Sequence, residues 1–380
     1  MAVIMRSRRV SCPRARYSWR GGVGRRQPRR ERRGAAKIPD LPASNGSAMS
    51  DPIWITEAEV VALIDLGEAI AALERALAEE AAGRAHNMIK THVGWGDANL
   101  HAIGAVFTGA KLAATKTWAH TPGGATPLLV VVDADDGSLK CVIEAFALGQ
   151  LRTGGISGVA TGRLAAKGAD ELAIIGTGKQ ALLQVAAVHA VRPLRRLRVF
   201  SPRSDSRRRF ADAVRTELEL EASDFGSVAA AVEGAPIVTL VTRATEPFLA
   251  AAMLARGTHV NAVGAITPER EEFAQDLFDR ASRITVDSLP AVQRLAREFT
   301  TRFGPPGPRW DKVLPFARVI AAGIAREASD DLTLFKAMGM GIADLALGAE
   351  IYARAVKAGV GRPFLHPQRA KPRIRVASHA

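Results

Sequence analysis

Glu171-Leu172-Ala173-Ile174-Ile175-Gly176-Thr177-Gly178-Lys179-Gln180-Ala181 is the stretch that decides the fold. Its first five residues read as a strand, which runs straight into a glycine turn. Ala181 then opens a run of Ala, Leu and Val at helical length. Gly176 permits the tight turn, Gly178 lets the backbone approach a pyrophosphate, and Ala181 keeps helix and strand close. The free N–H groups of the helix start face the anion. The stretch therefore predicts a βα unit that grips a dinucleotide through Gly176, Thr177, Gly178, Lys179 and Gln180.

On the C-terminal side, strand and helix signals alternate. Strands are expected over 197–200, 236–241, 258–263 and 283–287, with a helix over 205–218. Such alternation predicts a parallel sheet with helices on both faces. On the N-terminal side a helix of small residues is expected over 152–166, and before it the pattern differs. Thr56-Glu57-Ala58-Glu59 and Asp65-Leu66-Gly67-Glu68 read as capping boxes. Helical spacing runs from Ile70 to Ala82, with Gly83 as a stop. Residues 88–118 hold short apolar and β-branched runs broken by glycines, and 128–132 pairs with 139–143 as a hairpin across Asp133-Ala134-Asp135-Asp136-Gly137. A last helix spans 342–358. The fold class expected is α/β: a Rossmann-type parallel-sheet domain over 156–329, plus a smaller α+β substrate-binding and dimerisation domain made of 49–155 with 330–365.

The 380 residues carry a formal charge of +14. Residues 1–48 hold twelve arginines and Lys37 against only Glu31 and Asp40, a net +11, which leaves +3 for the rest. The basicity thus belongs to an extension with no sustained apolar period, which is expected to be disordered. An over-extended gene start with Met49 as the true first residue is the simplest account. A targeting peptide or a nucleic-acid-binding arm are the others. Residues 366–380 read as a loose basic tail. No run of about 18 apolar residues predicts a membrane span. The two cysteines, Cys12 and Cys141, exclude a disulfide framework and a Cys/His metal site, and a cytoplasmic setting is expected. Neither nucleic acid nor membrane is expected as a partner.

Cofactor choice is argued at the end of the second strand, where NAD-preferring sites place an acid for the ribose hydroxyls. Here the sequence reads Phe200-Ser201-Pro202-Arg203, with Arg207, Arg208 and Arg209 close behind. A hydroxyl and several cations suit a 2′-phosphate, so NADP(H) is favoured over NAD(H), with Ser201 and Arg203 as contacts.

Four segments together resemble the ornithine cyclodeaminase/mu-crystallin family: Leu151-Arg152-Thr153-Gly154-Gly155, Gly176-Thr177-Gly178-Lys179-Gln180-Ala181, Asn261-Ala262-Val263-Gly264-Ala265, and Thr333-Leu334-Phe335-Lys336-Ala337-Met338-Gly339. The resemblance runs from about Ile55 to Gly361. It implies a homodimeric enzyme of amino- and imino-acid chemistry, or a binding protein that retains the pocket. It assigns Arg152 to the substrate carboxylate and Lys116 to the substrate nitrogen or carboxylate. Lys90 stands near a carboxylate-binding arginine, and Arg270 is similar to a lysine near the cofactor. Thr126, Arg152, Thr153, Thr242 and Val263 join the cofactor set, Thr242 under the nicotinamide ribose.

The residues themselves fit that chemistry. Arg152, expected at a helix N-terminus, would converge with backbone donors on an anion. Lys116, in a mostly apolar strand, is costly to bury without a partner. His86, His92, His101 and His120 read as structural. Where cyclodeaminases of the family carry an aspartate after the Asn-Ala-Ile-Gly-type strand end, this chain has Ile266, with Glu269, Glu271 and Glu272 as substitutes only if the loop is shifted. Isoleucine neither accepts a proton nor orients an ammonium. Reduction of a protonated imine tolerates that loss better than oxidative deamination does. The expected activity is NAD(P)H-dependent reduction of a small 2-imino carboxylate of the pyrroline-2-carboxylate or ketimine type, giving an L-amino acid. The alternatives are ornithine cyclodeamination to proline and ammonia or a related amino-acid dehydrogenase, and a non-catalytic binding protein.

Overall fold

A computed structural model describes residues 51–374. The Arg-rich extension over 1–48, Cys12 and the last six residues of the tail lie outside the described residues. Among the described residues sixteen strands form two sheets. The first contains β1 (Ile53–Ile55), β2 (Ala85–Asn87), β3 (Thr91–Trp95), β4 (Ala98–Phe107), β5 (Leu112–His120), β6 (Leu128–Asp133) and β7 (Leu139–Glu144). The second contains β8 (Glu171–Ile175), β9 (Arg196–Phe200), β10 (Glu221–Asp224), β11 (Ile237–Leu240), β12 (His259–Ala262), β13 (Ala281–Val286), β14 (Val313–Pro315) and β15 (Leu332–Lys336). Finally β16 (Arg362–Pro363) returns to the edge of the first sheet beside β1.

The first sheet has the order β16-β1-β7-β6-β5-β4-β2, with β3 also on β4. It is antiparallel apart from the β1–β7 pair. Its inner face follows the two-residue period of a half-buried strand: Leu112, Ala114 and Lys116 of β5 point inward, while Thr115 and Thr117 face water. Covering that face is the helix Gly341–Ala358, whose residues Gly341 to Ile351 are buried without a break. It can lie this close because its first residue is glycine. A Cβ on Gly341 would stand 1.9 Å from the carbonyl oxygen of Gly104 on β4. The two capping boxes form as the sequence predicts, at Thr56/Glu59 and Asp65/Glu68.

The second sheet is parallel throughout, in the order β10-β9-β8-β11-β12-β15-β13-β14. All five residues of β8 are buried, as a strand covered on both faces requires. The expectation that the strand series closes at 283–287 is corrected here. Leu332–Lys336, grouped above with the smaller domain, is inserted between β12 and β13. Its five residues are all buried, so its apolar run is that of a core strand rather than a lead-in to the last helix. The chain returns to the first sheet only after Lys336.

A second correction concerns the helix that carries Arg152. It spans Phe146–Leu164, so Arg152 lies in its second turn and not at its N-terminus. Its first two backbone donors are already taken. The carboxylate of Glu57 accepts from the backbone N–H of Phe146 and from that of Ala147, the latter at 2.9 Å. A capping acid 89 residues upstream leaves no local mark, which is why the helix start is not readable from its own sequence. Residues 366–374 have no regular structure and are exposed apart from the half-buried His366, Ile374 at 88 %.

Candidate active site

Three elements bring the first cluster together. Lys116 comes from the inner face of β5, Arg152 from the helix Phe146–Leu164, and Asp344 from the first turn of Gly341–Ala358. Lys116 Nζ donates to Asp344 Oδ1, and Arg152 Nε lies 3.3 Å from the same oxygen. Lys116 is only 3 % exposed and Asp344 1 %. Burying an ammonium this deeply is tolerable because the carboxylate is there, and Trp118 adds a ring face 5.2 Å from Nζ. Desolvation still pulls the Lys116 pKa down to about 8, against the pull of Asp344. Asp344 Oδ2 and Arg152 Nε have no hydrogen-bond partner. One carboxylate thus faces two cations, and the cluster keeps unsatisfied groups for a ligand.

Lys90, half-buried between β2 and β3, belongs to the same field. Its pKa is lowered to about 8 by desolvation first and then by the Arg152 charge, while Asp344 and Asp287 oppose the shift. Asp287, just past β13, is buried and accepts from the N–H of Met338 at 2.9 Å and of Gly339 at 2.7 Å. Its burial pushes its pKa up. These bonds fix the crossover from β15 to the last helix. A Cβ at Gly339 would lie 2.7 Å from Arg152 Nη1, so the guanidinium rests directly on that crossover.

The dinucleotide loop stands at the C-terminal edge of the parallel sheet. Gly176 has φ +113°, and a Cβ there would meet the carbonyl oxygen of Val241 at 2.6 Å, so only glycine serves. At Gly178 a Cβ would meet nothing within 4 Å. The space beside that backbone is open, as a diphosphate needs. The helix Ala181–Val191 has no side-chain cap, and Gln180 Oε1 is buried without a partner. These features fit a nicotinamide dinucleotide. Thr177 is half-buried and Lys179 exposed beside the loop. The Thr153 hydroxyl is spent on Gly149 O at 2.8 Å, whereas its carbonyl accepts from Gln184 of the loop's helix at 2.9 Å. Thr153 thereby joins the Arg152 helix to the cofactor helix.

At the end of β9, Ser201 is buried and its carbonyl accepts from Arg207 Nη1 at 2.7 Å. Arg207 also lies over the Phe200 ring, and Arg208 pairs with Asp205. Arg203 is exposed in the N-cap position of Ser204–Leu218 and has no acidic partner among the described residues.

Thr242 and the Gly264–Ala265 loop are tied together by Glu272. Its buried carboxylate accepts from Thr242 N at 2.7 Å, Thr242 Oγ1 at 2.8 Å, Gly264 N at 2.8 Å and Ala265 N at 3.0 Å. Val263 is nearly buried at the strand end. Arg270 is half-buried, its pKa lowered by desolvation, and its charge reaches Lys90. Ile266 packs against the core of the parallel-sheet region. Glu272 is fully engaged as above, Glu271 pairs with Arg297 at 3.4 Å, and Glu269 is exposed. Thr126 sits exposed on the loop before β6 and bonds to none of the residues above. Among the described residues no group of three or more His, Cys, Asp or Glu is placed to hold a metal ion. No helix there is long and apolar enough to cross a membrane.

Sequence reasoning brings Lys116, Arg152 and Lys90 together, but it misses Asp344, whose charge acts on both lysines, and Asp287, whose charge acts on Lys90. Asp344 did leave a signal, as the one acid in the otherwise apolar run from Ile342 to Ala349. Asn261, part of the quoted motif, serves the fold. Its Oδ1 accepts from His259 Nε2 at 3.1 Å and its Nδ2 donates to Thr161 Oγ1 at 2.9 Å.

The model of the ornithine cyclodeaminase/mu-crystallin family matches residues 51–359. The chain belongs to this family. It is 28 % identical over 236 residues to a Delta(1)-pyrroline-2-carboxylate reductase of Bacillus cereus, covering 62 % of this chain and 72 % of the relative. Among solved structures it resembles the Delta(1)-pyrroline-2-carboxylate reductase of Thermococcus litoralis, in complex with NADH and L-proline. The TM-score is 0.76 at 25 % identity, covering 82 % of this chain and all of the other. An archaeal alanine dehydrogenase dimer with bound NAD has the same fold, with TM-score 0.76 at 24 % identity, covering 83 % and 99 %.

Proposed function

We propose that this family member reduces a small 2-imino carboxylate to an L-amino acid with a nicotinamide dinucleotide, NADPH in preference to NADH. The observation that carries the reading is a buried ammonium, Lys116, paired to Asp344 and flanked by Arg152 and Lys90. When bound, the dinucleotide supplies the hydride taken up by the imine carbon.

The chain's own groups do the rest. Arg152 and Lys90 hold the carboxylate, the guanidinium offering a planar fork that an ammonium lacks. Lys116 hydrogen-bonds to the imine nitrogen and delivers the proton that balances the hydride, so C=N becomes CH–NH. Asp344 keeps Lys116 charged for that task, since desolvation alone would drive it towards the neutral amine. Ile266 offers no base to take a proton from an amine, which favours reduction over deamination. The unpaired Arg203 and the absence of an acid at the end of β9 favour the 2′-phosphate. Relatives named as pyrroline-2-carboxylate reductases support the substrate class.

Two further readings belong to this proposal. The first is a homodimer. Met88, Ile89, Val93, Trp95 and Leu100 expose 40–60 % of their surface on and beside β3 and β4, an apolar face that a second copy would cover. The alanine dehydrogenase with this fold is a dimer. The second is action in the cytoplasm, in keeping with a free, buried Cys141.

Purified protein given pyrroline-2-carboxylate should oxidise NADPH and yield L-proline. Ammonia released from L-ornithine without net change in the cofactor, and no turnover of the imine, would replace the reading with cyclodeamination.

A further inference from the structure

Beside the Lys116 cluster lies a chamber of about 320 Å³. A volume near the lower end of the roughly 300–1,000 Å³ of small-molecule sites is ample for more than a five-membered ring. Lys90 and Gly339 stand in its wall, and so does Ile103, which pairs directly with Lys116 across β4 and β5. The chamber therefore borders the place proposed above for the carboxylate and the C=N group. It sits over the ends of β15 and β13, away from the dinucleotide loop at β8.

The lining is mostly apolar, with Ile89, Pro290, Leu295 and Met340 among it, but Glu80 stands in the wall. Its two oxygens are not equivalent. Oε1 faces Asn87 Nδ2 at 3.5 Å, and Asn87 is itself fixed because its Oδ1 accepts from Ile342 N at 2.9 Å. Oε2 is buried and has no hydrogen-bond partner. A buried, unpartnered carboxyl oxygen in a chamber wall costs folding free energy unless a ligand satisfies it.

We infer that Glu80 reads the far end of the substrate's side chain, and that the preferred substrate is a 2-imino carboxylate whose side chain ends in a hydrogen-bond donor rather than a methyl group. This rests on the reductase reading above and deepens it. Satisfying Oε2 rewards a donor, and an alkyl end placed there leaves the carboxyl unpaired and dehydrated. Burial and the nearby Asp287 charge raise the Glu80 pKa to about 7. The discrimination therefore sharpens as pH rises through that range and the carboxylate forms. Lys90, His86 and Arg294 are the other titratable or charged groups lining this volume, and Asp287 acts on Glu80 from outside the lining. Lys90 and Asp287 act on both substrates of a matched pair alike.

The test uses imines formed in place from ammonia and two 2-oxo acids of equal length, 5-hydroxy-2-oxopentanoate and 2-oxohexanoate, with pyrroline-2-carboxylate as reference. The wild type is expected to favour the hydroxyl substrate in kcat/KM by about tenfold, the worth of one good hydrogen bond, and the ratio should grow from below to above pH 7. Glu80→Leu should abolish the preference while turning over pyrroline-2-carboxylate with an unchanged KM for NADPH. A wild type that prefers the alkyl substrate, or a Glu80→Leu ratio equal to wild type, overturns the inference. Should Glu80→Leu fail to fold, the wild-type ratio and its pH dependence decide alone. Loss of pyrroline-2-carboxylate turnover in the wild type would instead strike the reductase reading.

Discussion

Asp344→Asn isolates the electrostatics of the proposed reaction. The side chain keeps its shape and loses its charge, leaving Lys116 and Arg152 facing each other in a site where Lys116 is 3 % exposed. Removing one partner of a buried ion pair typically costs about 3–5 kcal/mol, and the protein can limit that cost by releasing the Lys116 proton. With Asp344 present the Lys116 pKa is about 8, so roughly 90 % of the ammonium is charged at neutral pH. About 3 kcal/mol of lost attraction corresponds to about two pKa units, which would leave roughly a tenth charged. A depressed lysine pKa means that activity is present at low pH and lost as pH rises through the folded value. In the wild type, kcat/KM for pyrroline-2-carboxylate should therefore fall above about pH 8. In Asp344→Asn the falling limb should move about two units lower, with a roughly tenfold loss at neutral pH that is recovered on acidification. Recovery at low pH separates this from simple misfolding, and a thermal melt gives the stability cost directly. If the limb stays where it is in the wild type, Asp344 does not hold the Lys116 proton and the assignment of Lys116 as the acid is wrong.

Lys90 also has its pKa lowered to about 8, so the wild-type limb is a property of two coupled groups. Lys90→Arg removes one of them from the titration, and a steeper wild-type fall that becomes a single-proton limb in the variant is the expected result. Gly178→Val should leave the melting temperature unchanged, because the space beside Gly178 is open, yet raise the KM for NADPH at least about tenfold by blocking close approach of the diphosphate. Equal KM values would remove the loop from the cofactor site. Arg203→Ala should weaken NADPH by about tenfold and leave NADH unaffected, as expected of a contact to the 2′-phosphate. A parallel change in both would refute the phosphate contact. Glu57→Ala removes the distant cap of Phe146–Leu164 and should cost about 1 kcal/mol in denaturant unfolding.

What the sequence makes legible is whatever is written locally. The loop at Gly176 carries its own strand, turn and helix, and the capping boxes at Thr56 and Asp65 lie within four residues. All of these appear as the spacing predicts. The errors arise where a partner is remote. The helix carrying Arg152 begins at Phe146 because Glu57, far upstream, satisfies its first donors. Leu332–Lys336 is a core strand because β12 and β13 leave a gap for it, which no residue within the segment announces.

The site divides in the same way. Lys116 betrays itself by its cost: an ammonium on the inward register of an apolar strand demands a counter-ion. The identity of that counter-ion does not follow from β5. It becomes fixed only when Gly341–Ala358 closes over the sheet, which brings Asp344 to Lys116 over a separation of 228 residues. Cations were recognisable because charge in a strand is exceptional, whereas an acid in the first turn of a helix is ordinary and reads as solvated until the helix is seen to be buried. The same closure fixes Asn87 against Ile342 and so orients Glu80 into the chamber. A single packing event, the last helix against β4 and β5, thus sets both the charge on the proposed acid and the polarity of the proposed side-chain pocket. A variant that loosens this contact, such as Gly341→Ala against the Gly104 carbonyl, should lose turnover and side-chain preference together, while cofactor affinity at the distant loop remains.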